Sequence, residues 1–248
     1  MNNPIALFDS VEQLKKCSSA DHMWQTLHTI LSSYGVSSIF YGVGHSAKLA
    51  QVNGVVESVI YRDSHPQRYK EHYSNSDYIN SDPSAEHCLQ YTSPYMWVNT
   101  CGISEPISPE ALEYEQVAKQ LGMDIGVTLP LRFGSSGIGG IGLCTESFSS
   151  HDFATHWNIH QQAITAISYI FDELYRADFK QEIADLTLQE KEMLRCYFSN
   201  KTTSQIASKY HITEGTLHTH MSNIRKKLNV TNNASALIKA WVFQLISP

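Results

Sequence analysis

The stretch Leu186–Leu228 constrains the fold of this 248-residue chain most, because helix-start signals follow one another closely within it. Thr187-x-x-Glu190 and Thr202-x-x-Gln205 are capping boxes. In a capping box the hydroxyl accepts from a free backbone N–H at the helix start, and the acid or amide three residues later bonds back to the N-cap backbone. Thr213 is a third N-cap signal. The stretch therefore predicts three short helices in close succession.

The third predicted helix is amphipathic. Its apolar residues recur at i, i+4, i+7 and i+11 and form one core stripe, made of Leu217, Met221, Ile224 and Leu228. A helix that packs with this face and donates hydrogen bonds with the other suits the major groove of DNA. The predicted contacts to bases or phosphates are Thr216, His218, Thr219, Ser222 and Arg225, and those to the DNA backbone are Lys201, Lys226 and Lys227.

Charge is distributed unevenly along the chain. From Arg176 onward ten Lys and Arg stand against six Asp and Glu, a net +4, whereas the preceding part has eight against eighteen, a net −10. Phosphate neutralisation dominates affinity for duplex DNA, so the basic part would be attracted to DNA and the acidic part repelled. A tail of this size can also be mildly basic without binding DNA, and Arg225 could equally be a solvated helix charge.

The cysteines and the apolar segments indicate the compartment. The five cysteines form no CxxC pair and are odd in number, which argues against a disulfide framework and for a reducing compartment. The first residues lack the basic leader and apolar run of a secretion signal. No run of about 18 apolar residues is present that would span a membrane. These features predict a cytoplasmic protein without membrane contact.

Before the helical stretch, helix and strand patterns follow in the order α–β–β–α–α–α–β–β–α. The predicted strands are 36–43, 55–61, 125–133 and 138–145, the last two forming a hairpin around a GSSG turn, with a short strand at 95–98. The predicted helices include 65–75, 106–121 and 152–176. This order predicts a small antiparallel sheet with helices on both sides, an α/β/α sandwich, in a chain of the α+β class.

Polar and aromatic side chains are unusually dense between His65 and Trp97, where they include Tyr69, Tyr73, Tyr78, Asp82, Tyr91 and Tyr95. Aromatic rings supply an apolar wall with aimed O–H and N–H donors, and a carboxylate can accept from a ligand N–H. The composition suits a pocket for a small amphipathic ligand. The tyrosines and Trp97 could instead be core aromatics, and Asp82 could be only a helix N-cap.

The helical stretch resembles the C-terminal helix-turn-helix of the LuxR family. The matching pieces are LTxxE at 186–190, IA at 206–207, ITEGTLHTH at 212–220 and NIRKKLNV at 223–230. The resemblance implies an all-α, four-helix domain at 185–248 that binds double-stranded DNA as a homodimer. Many members have Lys or Arg where this chain has His218 and Ser222, which predicts a different operator preference or weaker phosphate contact. Asn200 replaces a frequent Gly and tolerates the left-handed conformation of that turn.

The resemblance extends to the family's acyl-homoserine-lactone domains. It implies an autoinducer-binding domain at 1–172 and a linker at 173–184. The family pattern of W-xxx-Y, Asp-Pro, Trp and Gly is matched by Tyr69, Tyr73, Asp82-Pro83, Trp97 and Gly126. By this resemblance Asp82 accepts from the amide N–H of the ligand.

Three ligand-facing positions of that family carry altered donors in this chain. Tyr69 stands where the family has a Trp that donates to the lactone carbonyl. His65 stands where some members have a Tyr that donates to the acyl amide oxygen, and it can donate as a neutral tautomer. Gly142 falls where several members have Ser or Thr near that oxygen, and it has no side chain to donate. An unpaired ligand acceptor costs roughly 1–3 kcal/mol, so a different head group stays open beside an acyl-homoserine lactone.

The resemblance as a whole implies a quorum-sensing transcription regulator that binds a small signal and then an inverted-repeat operator as a dimer. RNA polymerase is a further partner that it allows; no metal, catalytic residue or cofactor other than the signal is expected. One alternative is a LuxR-type regulator that senses no lactone or no ligand, with an N-terminal domain serving mainly in dimerisation. Another is an enzyme, for which the sequence offers no nucleophile–base pair.

Two further patterns are discounted. Gly137–Gly142 satisfies GxGxxG, but strand-like residues follow where a dinucleotide site needs a helix. His156 and His160 have the i, i+4 spacing of zinc ligands, yet no HExxH motif or matching Cys or Asp set accompanies them. A solvated helix face is predicted there instead.

Overall fold

A computed structural model describes residues 4–45, 60–75, 82–97, 116–133, 137–178, 184–243 and 245–246. The chain divides into two compact units, with the boundary in a long helix between Asp172 and Glu173. That helix continues into residues predicted as linker. The predicted domain limits, 1–172, 173–184 and 185–248, stay a prediction.

Within the described residues, the first unit contains a five-stranded sheet flanked by helices. The strands are β1 (Ser38–His45), β2 (Ile60–Asp63), β3 (Tyr95–Met96), β4 (Gly126–Phe133) and β5 (Gly137–Cys144). The helices are α1 (Pro4–Lys15), α2 (Ala20–Ser32), α3 (Gln67–Asn75), α4 (Pro83–Gln90) and α5 (Ser150–Asp178). The strand order is β2-β1-β5-β4-β3, and β3 pairs antiparallel with β4. The predicted α+β class with a small antiparallel sheet is confirmed.

One face of the sheet is covered by α2 and α5. Tyr41 of β1 lies edge-on to Phe171 of α5, with ring centroids 5.3 Å apart, and Trp24 of α2 lies 6.1 Å from the same ring. The Tyr41 hydroxyl donates to Asp172 Oδ1 at 2.8 Å, so this buried phenol is paired. Side chains alternate between the two faces along a strand. The neighbours of Tyr41 in β1 therefore belong to the other face, which carries the candidate ligand site.

Local sequence explains where the helices of this unit begin and end. Ser19 caps α2 by accepting from a backbone N–H of the first turn at 3.2 Å. Gly35 follows α2 with a φ of +79°, a conformation that glycine adopts without strain. Asp82 caps α4 by accepting from the Ser84 N–H at 2.8 Å, as its place before a proline predicts.

Several predicted limits shift in the structure. β1 begins at Ser38 rather than at Val36, because the Val36 N–H donates back to the Leu31 carbonyl in the turn after α2. α5 runs to Asp178, past the predicted end at 176. The predicted strand 55–61 lies outside the described residues except at its end in β2. The predicted helix 106–121 is described only from 116, and residues 116–120 are helical.

The second unit contains α6 (Leu188–Phe198), α7 (Thr203–Lys209), α8 (Glu214–Leu228) and α9 (Asn233–Val242). Both predicted capping boxes are formed, and Thr213 caps α8 by accepting from the Thr216 N–H. All four residues of the predicted stripe on α8 are completely buried. The sequence therefore predicted the start of each of the first three helices and the buried face of α8.

Among the described residues of the second unit, three that are not glycine adopt the left-handed conformation. Asn200 has a φ of 57°, which confirms the prediction that it replaces glycine in this turn. Asn229 has a φ of 51° and ends α8, with its N–H donating to the Lys226 carbonyl at 3.1 Å. His211, with a φ of 54°, was not predicted in this conformation.

None of the described helices is long and apolar enough to cross a membrane. The four cysteines in the described residues, Cys17, Cys88, Cys144 and Cys196, are free thiols. Burial raises the pKa of Cys144 to about 12, so this thiol is held in its unreactive protonated form.

Candidate functional site

Glycines of β4 and β5 form the floor of a candidate ligand site on the second face of the sheet. A Cβ on Gly126 would lie 2.6 Å from the Trp97 ring, and one on Gly142 would lie 3.2 Å from it. A Cβ on Gly140 would lie 3.0 Å from the sulfur of Cys88 in α4. Trp97 and α4 therefore approach the sheet more closely than larger residues at these positions would allow.

Trp97 is fixed by hydrogen bonds within the chain. Its backbone N–H donates to the Gly126 carbonyl at 2.9 Å, and its indole N–H donates to Thr128 Oγ1 at 2.8 Å. Thr128 is buried. Because the indole N–H is already satisfied, Trp97 offers a ligand its apolar ring rather than a donor.

Asp82 is half-buried at the start of α4, where its Oδ1 accepts from the Ser84 N–H. Its role as a helix cap is therefore present in the structure. A carboxylate can accept more than one hydrogen bond, so capping and ligand binding are compatible. Its predicted contact to the amide N–H of a ligand stays a prediction.

His65 lies between β2 and α3 and is only 5% exposed. Its Nδ1 lies 2.7 Å from Asp63 Oδ1, and its backbone N–H donates to the same oxygen at 2.8 Å. Burial acts to raise the pKa of Asp63, but the hydrogen bonds from the side chain and backbone of His65, together with the charges of His65 and Lys70, outweigh it, so the pKa lies below its ordinary value. The Tyr69 ring lies 5.0 Å from the His65 ring. The structure thus brings these two predicted ligand residues together beside an ionised carboxylate.

The structure places the predicted ligand residues in two groups. Trp97 and Gly142 are in contact, and His65 is next to Tyr69. Tyr73 lies on α3, but its side chain falls outside the described residues. Sequence reasoning missed Thr128, Phe40 and Asp63. Thr128 could have been found from strand alternation, because it is two residues from Gly126 and shares its face.

The polar side of α8 carries the predicted DNA contacts. The exposed ones are Thr216, His218, Thr219 and Lys226. Ser222 and Arg225 are half-buried. Lys201, before α7, is exposed as well. Sequence reasoning missed the exposed Asn223, which neighbours Thr219 and Lys226 at helical i+4 and i+3 spacing. An Asn amide can read adenine bidentately, so this spacing could have revealed it.

Two predicted DNA contacts are bonded within the second unit. Lys227 Nζ donates to Glu190 Oε2 at 2.8 Å, and the Arg225 guanidinium bonds to the Asn233 side chain. Their predicted DNA contacts stay predictions. Burial acts to raise the pKa of Glu190, but hydrogen bonds from Lys227 and Thr187 outweigh it and leave the pKa below its ordinary value. The pair joins the start of α6 to the end of α8 and so holds the candidate recognition helix in place.

We expect Glu190→Gln to lower the free energy of unfolding by about 1 kcal/mol near neutral pH, because glutamine keeps the capping box but not the ion pair. The pKa of Glu190 is lower in the folded than in the unfolded chain. Its stabilisation is therefore present above its ordinary value of 4.5 and is lost as the pH falls below it. Urea denaturation of both proteins from pH 7 to pH 3 measures this. A difference that persists unchanged at pH 3 would contradict the assignment.

The structure shows what the glycine pattern at 137–142 and the histidine pair at 156 and 160 form. Gly137–Gly142 lies in β5, as predicted, and a strand there cannot offer a helix N-terminus to a phosphate. No group of three potential metal ligands occurs within the described residues. The prediction of a solvated face at His156 and His160 is wrong: His156 stacks on Phe148 at 4.6 Å and bonds the Tyr34 carbonyl at 2.7 Å, and His160 Nδ1 is buried.

Two family sequence profiles match the chain. One, described as "Autoinducer binding domain", matches residues 19–174. The other, described as "Bacterial regulatory proteins, luxR family", matches residues 184–240. Their limits enclose the glycine-floored face of the sheet and the first three helices of the second unit, respectively.

Similar proteins extend over the length of the chain. The transcriptional activator protein AnoR of Acinetobacter nosocomialis is 26% identical over 229 residues, covering 91% of this chain and 92% of its own. The crystal structure of SdiA from Escherichia coli aligns with a TM-score of 0.61 at 18% identity, covering 98% of both chains. CepR2 from Burkholderia cenocepacia aligns with a TM-score of 0.52 at 15% identity, covering 69% of this chain and 97% of its own. Because the two profiles together match most of its length, the chain belongs to the LuxR family of bacterial regulators. It combines an autoinducer-binding domain with a LuxR-type helix-turn-helix.

Proposed function

We propose that this chain is a ligand-responsive transcription regulator that binds a small acylated signal in its first unit and operator DNA through α8. The observation that carries the proposal is the sheet face with its glycine floor and Trp97 cover, in a chain that also contains a capped helix-turn-helix. SdiA has been solved in complex with octanoyl-rac-glycerol, and CepR2 is described as dependent on an N-acylhomoserine lactone. Both descriptions support an amphipathic signal with an acyl chain.

In this proposal the ligand acts by binding the folded, ordered form of the first unit more tightly than other forms. A ligand can shift an equilibrium only by such differential affinity. Trp97 and the glycine floor would contact the apolar part of the ligand, and the Asp82 carboxylate would accept from a ligand N–H. The ordered unit would form the homodimer that presents two copies of α8 to an inverted repeat and, once bound, allows contact with RNA polymerase.

On the DNA side, the exposed face of α8 supplies two kinds of contact. Thr219 and Asn223 would reach base edges, because hydroxyl and amide groups read the major groove. Lys226 and Lys201 would neutralise phosphates. We expect Asn223→Ala to reduce the discrimination between bases at one operator position by about 1–3 kcal/mol. Lys226→Ala should instead weaken binding to all operator sequences alike and reduce the salt dependence of that binding. Fluorescence anisotropy against a set of single-base operator variants separates these effects; equal losses for both variants at every position would contradict the assignment.

The ligand site is tested by native mass spectrometry after expression in a host that makes no lactone. A panel of acyl-homoserine lactones and octanoyl-rac-glycerol is added to the wild type and two variants. Asp82→Ala removes both the cap and the carboxylate, whereas Asp82→Ser keeps a good N-cap and removes only the carboxylate. Uptake of one ligand per chain by the wild type, weakened in both variants, is expected. Full uptake by Asp82→Ser would show that Asp82 acts only as a cap.

One observation favours a second candidate function, a regulator that needs no signal. The indole N–H of Trp97 is satisfied by Thr128, and Trp97 lies against Gly142, so these groups pair without a ligand. In that case the first unit would serve mainly in dimerisation. A stable, DNA-binding dimer that takes up none of the panel would support this candidate.

A further inference from the structure

We propose that Asn233 is a positioning residue for DNA binding, whose side-chain oxygen holds the Arg225 guanidinium ready for a phosphate without cancelling its charge. This inference rests on the proposed function, because it explains how one contact of α8 to DNA is prepared. It also gives a role to the first residue of α9, a helix for which the sequence predicted no contact to DNA.

Arg225 lies on one flank of α8. Successive residues of an α-helix are about 100° apart around its axis, so Arg225 and Lys227 lie on opposite sides of the exposed Lys226. A helix with its side chains is about 10–12 Å across, and the major groove of DNA is about 12 Å wide. When the exposed face points to the bases, both flanks therefore meet the phosphate backbones. A cation on a flank is placed for a phosphate rather than for a base.

The two flanks differ in the charge that they offer to DNA. Lys227 Nζ donates to the carboxylate of Glu190 at 2.8 Å, so much of its charge is cancelled within the unit. Arg225 donates instead to Asn233 Oδ1, which is a neutral acceptor. Among the residues that the structure describes, Arg225 takes part in no ion pair. The positive charge of Arg225 is therefore available to a phosphate.

The bond to Asn233 also fixes the orientation of the guanidinium. A guanidinium has five N–H donors in one plane and no acceptor, so the amide of Asn233 must turn its oxygen toward it. The bond uses Nη1 of Arg225. The other N–H groups can form the paired, parallel bonds that arginine makes to phosphate. Both residues are half-buried, which restricts the freedom of both side chains.

Local structure brings Asn233 to this place. Asn229 ends α8 in the left-handed conformation, with a φ of 51°. The Val230 N–H donates back to the Arg225 carbonyl at 3.0 Å. Asn232 caps α9 by accepting from a backbone N–H of its first turn at 2.8 Å. The chain thus passes directly from the last turn of α8 into the first turn of α9, and hydrogen bonds fix both ends of this connection.

Binding of the full chain to a fluorescein-labelled duplex of mixed sequence, followed by anisotropy at increasing salt, tests the inference. A phosphate contact acts on any sequence, so no operator is needed. We expect Arg225→Ala to weaken binding about tenfold and to lower the salt slope by about one. Asn233→Ala should weaken binding about threefold to tenfold, because the arginine keeps its charge but loses its orientation. In an Arg225→Ala background, Asn233→Ala should have no further effect.

Two charge variants separate this role from a structural one. Asn233→Asp keeps an acceptor oxygen for the arginine and should leave the Tm unchanged or raised, yet it cancels the charge of Arg225 with a carboxylate. We expect it to weaken DNA binding by about tenfold or more and to lower the salt slope as Arg225→Ala does. Ala234→Asp is the matched control, because it adds the same charge at the exposed neighbouring position, and it should weaken binding clearly less.

The possible outcomes distinguish this inference from the function on which it rests. A wild type that binds no duplex even at low salt would contradict the proposed DNA binding and this inference together. Wild-type binding that is unchanged in Asn233→Asp, equally weakened in Ala234→Asp, or affected by Asn233→Ala even without Arg225 would overturn the role of Asn233 alone. Weaker binding by Asn233→Asp, with a native Tm and a lower salt slope, would support both. If Asn233→Ala fails to fold, Asn233→Asp still decides the result.

Discussion

Ile224→Ala should lower the free energy of unfolding of the second unit by about 2–5 kcal/mol. Ile224 is completely buried, in the middle of the apolar stripe of α8. Removing its side chain leaves a cavity where α8 packs against the other helices of the unit. An effect of this size is a large fraction of the stability of a small domain, so DNA binding should be lost with the fold at 37 °C. Urea denaturation followed by circular dichroism measures the change.

Lys226→Ala is the matched control for this prediction, because Lys226 is an exposed residue two positions along the same helix. Its effect on unfolding should stay within about 0.5 kcal/mol, while DNA binding weakens through a lost phosphate contact. An Ile224→Ala protein as stable as Lys226→Ala would show that the stripe on α8 is not the core of this unit.

Gly126→Ala should have the second largest effect, because its Cβ would overlap the Trp97 ring at 2.6 Å and also meet the backbone of β5. The backbone of β5 cannot rotate away from the added methyl group as a flexible side chain could. We expect a loss of about 1–3 kcal/mol in the free energy of unfolding, as for other overpacked sites, together with loss of ligand uptake. Thermal unfolding and native mass spectrometry with octanoyl-rac-glycerol measure the two effects.

Gly142→Ala provides the graded comparison, since its Cβ would lie 3.2 Å from the far edge of the Trp97 ring and 3.7 Å from Phe40. A small shift of the indole can relieve this contact, so the variant should be clearly more stable than Gly126→Ala. If Gly126→Ala unfolds and binds ligand like the wild type, then Trp97 does not cover the sheet at this position.

The second unit could be predicted from sequence because its signals are local. Capping boxes at Thr187 and Thr202 act within four residues, and the spacing of Leu217 and Met221 reports the helical period directly. The turn at Asn200 followed from the conformations that asparagine tolerates. The bond between Lys227 and Glu190 could not be predicted, because it joins residues distant in sequence whose proximity depends on how the helices pack.

The ligand face was predicted only in part, because its chemistry depends on contacts between strands. The family resemblance identified His65, Trp97 and Gly142, but not what they touch. The pairing of Trp97 with Thr128 depends on the register of β3 and β4, and that of His65 with Asp63 depends on the turn after β2. The family consists of transcription regulators rather than enzymes, as the absence of a nucleophile–base pair in the sequence had indicated.

In the proposed function, a small signal controls sequence-specific DNA binding by this chain. This control can be measured by selecting bound duplexes from a randomised DNA pool, with and without octanoyl-rac-glycerol. We expect enrichment of an inverted repeat, with half-sites about 10 base pairs apart between centres, that strengthens when the signal is present. If folded, dimeric protein enriches no sequence under either condition, the chain is not a sequence-specific regulator of this type.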